Sequence, residues 1–74
     1  MKCRIDIFWD AEAAVWIATS NDVKGLVLES GSLDALIERV RVAVPELLEL
    51  NNYSQKVIDL TIISERHDQV AANG

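Results

Sequence analysis

The chain has 74 residues, 7 basic and 12 acidic side chains for a formal net charge of -5, 50% hydrophobic residues, one Cys and one His. This excludes a second core, an intramolecular disulfide and a Cys/His zinc site, and the shortage of Lys and Arg argues against phosphate-driven nucleic-acid binding. So small a chain buries a modest share of its surface, so a partner surface is expected, and the acidic balance favours a basic partner.

The N-terminus, Met1-Lys2-Cys3-Arg4, leads into alternating rather than continuously apolar sequence. It does not read as a signal peptide, and no apolar run approaches the roughly 18 residues of a membrane span. A cytoplasmic protein is expected. From Cys3 to Trp9, Ile5, Ile7 and Trp9 fall on one side and Arg4, Asp6 and Phe8 on the other, which predicts a strand. Asp10-Ala11-Glu12 reads as a turn, and Ala14 to Thr19 as a second strand completing an antiparallel hairpin. This reading sets Phe8 and Trp16 together on the face opposite the core.

Ser20 to Gly25 is a loop, rich in side chains that bond to the local backbone, and Leu26 to Glu29 is a short third strand. Ser32 can cap the helix that follows, with Asp34 in its first turn. Leu33, Leu36, Ile37, Val40, Val44, Leu47 and Leu48 keep helical spacing. Pro45 lies on the opposite stripe, and the apolar phase continues past it, which predicts one bent helix rather than two. Val57 to Ile63 reads as a fourth, well-buried strand. Residues 1–63 thus form one α+β domain in the order β-β-β-α-β, an antiparallel sheet with one helix across one face. Residues 64–74 form a polar, mobile tail.

Few residues offer chemistry. Cys3 has no neighbouring His and no helix N-terminus to lower its pKa, and His67 is the sole imidazole, in the polar tail. Asp10, Glu12 and Asp22 lie in loops at opposite ends of the second strand, too far apart to pair. No Gly-rich phosphate loop, nucleophile elbow or paired Cys motif occurs, so no catalytic residue, metal or cofactor is assigned. Phe8 and Trp16 have two readings, as cover for a second small core or edge, or as anchors of an interface, where Trp is enriched. Asp22 and Glu29, beside the Gly25 turn, are candidates for electrostatic contact with a partner.

Two resemblances add to this reading. The element order resembles the opening of the ribonuclease H fold, which would place metal-binding carboxylates at Asp6, Glu38 and Asp59. Alternation and helical phase point these three away from one another. The residues Trp9-Asp10-Ala11-Glu12-Ala13, Val15-Trp16-Ile17-Ala18-Thr19-Ser20-Asn21-Asp22, Gly25-Leu26-Val27 and Pro45-Glu46-Leu47-Leu48-Glu49-Leu50-Asn51 look like a family of small bacterial domains similar to the N-terminal domain of HicB antitoxins. The likeness covers about the first fifty residues.

That resemblance implies a protein that binds and neutralises a HicA-like toxin, a small basic protein that cleaves messenger RNA, and that pairs with a second copy of itself. HicB proteins typically add a C-terminal DNA-binding segment. Here the sequence after Ile63 is too short and polar to supply one, so direct operator binding is not expected. Lys24 stands where HicB sequences commonly have Pro. The alternative is a small regulatory ligand-binding domain or structural homodimer without a toxin partner.

Overall fold

Alternation in the first segment produces β1 (Lys2–Asp10), with Cys3, Ile5 and Ile7 buried on one face and Phe8 exposed on the other. A computed structural model describes residues 1–54 and 56–73; the end of the expected tail, Gly74, lies outside them. After β1 come β2 (Val15–Thr19), β3 (Val27–Ser30), α1 (Leu33–Leu50) and β4 (Asp59–Glu65), so the element order is the one read from the sequence.

The sheet order is β3-β2-β1-β4. β1 pairs antiparallel with β2 and β2 with β3, but β1 and β4 are parallel. The sheet is therefore mixed, where a wholly antiparallel one was expected. The reason is the connection: α1 has 18 residues, about 27 Å at 1.5 Å per residue, enough to return the chain to the end of the sheet where β1 and β3 begin. β4 also takes in Ser64 and Glu65, which composition alone assigns to the tail. Residues 66–73 are exposed and have no regular secondary structure.

The helix begins where Ser32 Oγ accepts the Ala35 N–H at 3.2 Å. At its far end Asn52 takes a left-handed φ of 67°. There Tyr53 N–H donates to the Leu48 carbonyl and Asn52 N–H to Glu49, closing the last turn as a Schellman motif with Asn in place of Gly. Pro45 lies inside this single helix, exposed. Leu36, Val40, Val44 and Leu48 are buried against Cys3, Ile5, Ile7 and Ala18 of the sheet. Val23 and Leu26, from the loop before β3, complete the core. Gly25, between them, has a φ of 87°, which a side chain rarely tolerates.

Candidate functional site

Backbone hydrogen bonds fix which way each strand residue points. Arg4 N–H donates to Asp22 Oδ2 at 2.7 Å, and its carbonyl accepts from Ser20 Oγ at 2.6 Å. Both partners lie just beyond the end of β2, so their side chains continue the ladder where the strand has stopped. Because backbone groups alternate in direction, Asp6 and Phe8 also turn theirs toward β2. Phe8 and Ile17 are then a hydrogen-bonded pair, and Trp9 and Trp16 a non-hydrogen-bonded pair, the kind in which side chains lie closest.

Trp16 is therefore not on the outer face with Phe8. It shares the helix-side face with Trp9 and packs against the core. The two indoles meet edge to face with centroids 5.3 Å apart and an interplanar angle of 63°. The Arg66 guanidinium, just past β4, lies 4.2 Å from the Trp9 ring centroid and 5.9 Å from that of Trp16. Alternation cannot set the side of β2, because Val15-Trp16-Ile17-Ala18 is apolar on both faces and leaves no polar face. The register is fixed instead by the four-residue turn that places Asp10 opposite Val15. In that turn Asp10 Oδ1 accepts from the Glu12 and Ala13 N–H groups, and Ala14 has a φ of 53°.

The uncovered face of the sheet carries one coherent row. Glu65 of β4, Phe8 of β1, Ile17 of β2 and Glu29 of β3 lie side by side across all four strands. Neighbouring strands are about 4.8 Å apart, so the row is about 14 Å long, with two apolar residues in the middle and a carboxylate at each end. Phe8 is 44% exposed, and Val27, Ile63 and the half-buried Val15 extend the apolar surface. Phe8 and Glu29, both singled out from the sequence, are brought together here. Ile17 and Glu65 join them only through strand register, for which the isolated sequence has no signal in β4. Asp22 is exposed but lies at the start of β1, with one oxygen committed to the Arg4 backbone.

The other polar candidates do not converge. Asp6 pairs with Arg4 on the outer face, at 2.8 Å, and Glu38 with Arg41 on the helix, at 3.3 Å, while Asp59 is exposed at the start of β4. Among the described residues no group of three His, Cys, Asp or Glu side chains is placed to hold a metal ion. Burial pushes the Cys3 thiol above its ordinary range, with the Asp22 carboxylate adding to the shift and the N-terminal ammonium opposing it. Helix and sheet close on a buried hydrophobic core. An open groove of about 510 Å³ lies outside it, along the edge of β3, lined by Leu28, Glu38, Arg39, Val42, Ala43 and Glu46.

A family model described as a domain of unknown function, DUF1902, matches residues 2–71, all five elements included. The chain belongs to the DUF1902 family. A solved structure, that of the hypothetical protein TTHA1013 from the extremely thermophilic bacterium Thermus thermophilus, is similar to this DUF1902 domain. It is 33% identical, with a TM-score of 0.74 over 97% of this chain and 100% of that one. No curated protein matches. Among the described residues of this DUF1902 domain, no helix is long and apolar enough to cross a membrane.

Proposed function

We propose that this DUF1902 domain is a HicB-like antitoxin module that acts as a homodimer and neutralises a small basic HicA-like mRNA-cleaving toxin through the uncovered sheet face. The observation that carries the reading is the row Glu65, Phe8, Ile17, Glu29: an apolar centre ended by carboxylates, on a sheet with one helix on its other face. An exposed aromatic and a branched aliphatic supply contact area, and the acidic ends suit a cationic partner, steering its approach and fixing its register. A toxin that works by gripping RNA must present a basic surface, and an acidic protein seated there blocks substrate without any chemistry of its own.

Asp22 sits at the margin of this surface as a weaker electrostatic contact. Trp16 supports it from beneath, through the hairpin, and does not touch the partner. The test is to express the chain with a small basic HicA-like toxin, sought first in the adjoining reading frame, then measure complex formation and messenger RNA cleavage. Binding with loss of cleavage supports the reading; a toxin left unbound and active overturns it.

A second reading, a regulatory domain for a small ligand, is favoured by the groove beside Arg39. It predicts that substitutions lining the groove, such as Val42→Glu, alter function while Phe8→Lys does not.

A further inference from the structure

The two edges of the sheet are unequal. β3 has four residues, and Arg39 Nη1 donates to the Glu29 carbonyl at 2.7 Å. Following the alternation from Arg4 through Ile17, that carbonyl points away from β2, so the arginine covers a group that another strand would otherwise use. β4 has seven residues. Asp59 N–H donates to the Met1 carbonyl at 2.8 Å, so Asp59, Thr61, Ile63 and Glu65 turn their backbone groups toward β1. Leu60, Ile62 and Ser64 turn theirs outward. Among the described residues no side chain bonds to those outward groups, although Leu60 and Ile62 are half-buried. The helix approaches β2 and β3 most closely, so it does not shield the β4 edge.

We infer that this edge pairs antiparallel with the β4 edge of a second copy, centred on Ile63, to make one eight-stranded sheet. The inference rests on the homodimer proposed above and gives it a surface. A two-fold axis through the sheet keeps both helices on one side and sets residues of equal parity opposite one another. Centred on Ile62, Asp59 faces Glu65 of the second copy, and the symmetry makes two such like-charge pairs. Centred on Ile63, Asp59 faces His67, Thr61 faces Glu65 and Ile62 faces Ser64, with no like charges opposed. This register sets the edge's two carboxylates, Asp59 and Glu65, which Arg66 alone offsets, apart from those of the second copy, so the strand meets itself without like charges opposed. It leaves the face carrying Phe8 free for the partner and makes the apolar surface continuous across both copies at Ile63.

Sedimentation velocity over a dilution series tests the inference, using the full chain with Ser64→Pro and Ser64→Ala. Proline removes the outward N–H and leaves the β1 ladder intact, as proline on an edge strand does, whereas alanine keeps that N–H. The wild type and Ser64→Ala are expected to dimerise alike, and Ser64→Pro to weaken dimerisation at least about tenfold. A dimer that Ser64→Pro leaves unchanged overturns the edge assignment while the homodimer stands; a wild-type monomer overturns both. Amide exchange on the wild type gives a second readout independent of any variant. Protection at Leu60, Ile62 and Ser64 that disappears on dilution supports the pairing, and fast exchange in the dimer overturns it.

Discussion

Trp9 and Trp16 meet edge to face across the β1–β2 hairpin, 5.3 Å between ring centroids, on the side of the sheet that packs against the helix. The contact assigns the two aromatic candidates different work. Trp16→Ala should cost about 2–3 kcal/mol in urea unfolding, because it opens a cavity beside the core and removes an aromatic pair. Phe8→Ala, on the 44% exposed ring, should cost about 1 kcal/mol or less. Equal losses at the two sites would contradict this division.

Ser20 supplies three hydrogen bonds at the point where β2 ends: its Oγ donates to the Arg4 carbonyl and accepts the Asp22 and Val23 N–H groups. Ser20→Ala should lower stability by about 1–2 kcal/mol, since it leaves these groups without their partner and loosens the loop that buries Val23. Asn21→Ala, next to it and exposed, should stay within about 0.5 kcal/mol. Chemical denaturation of the pair checks both.

Ala14 closes the hairpin at a φ of 53°, a conformation in which its Cβ is crowded. Ala14→Gly should raise the unfolding free energy by about 0.5–1 kcal/mol, the strain relieved exceeding the added chain entropy. A lower thermal midpoint would show that the turn relaxes in solution.

Cys3 is buried with its pKa raised, first by desolvation and then by Asp22. The unfolded thiol ionises near pH 8.5, while the folded one stays protonated to higher pH. The cysteine's contribution is therefore intact below about pH 8.5 and declines as pH rises through the folded pKa. Between neutral and alkaline pH the wild type should lose more stability than Cys3→Ala, and the native thiol should resist a thiol reagent that labels the unfolded chain at once. Parallel pH profiles for the two proteins would exclude this linkage.

Helical phase and strand alternation carry most of the fold in the sequence. Leu36, Val40, Val44 and Leu48 are the buried helix positions, and Ser32 is the cap, as its place before the helical spacing suggests. The direction of β4 was also accessible, because a long helix between two strands of one sheet returns the chain for a parallel pairing. The sidedness of β2 was not. Val15, Trp16, Ile17 and Ala18 satisfy either face, and the choice depends on a turn held by Asp10 and an alanine at positive φ. The candidate site shows the same split: Phe8 and Glu29 can be picked out from pattern, but their alignment with Ile17 and Glu65 exists only once four strands are in register.

The most direct test of the proposed role is the affinity of the chain for a small basic HicA-like toxin, measured by calorimetry for the wild type and Phe8→Lys. A lysine at the centre of the row replaces the apolar anchor with a charge of the partner's own sign while leaving the core untouched. The dissociation constant is predicted to rise at least about 30-fold, with the fold retained and the toxin's messenger RNA cleavage restored. Unchanged affinity in Phe8→Lys would contradict the assignment of this face, and absence of binding by the wild type would contradict the antitoxin role itself.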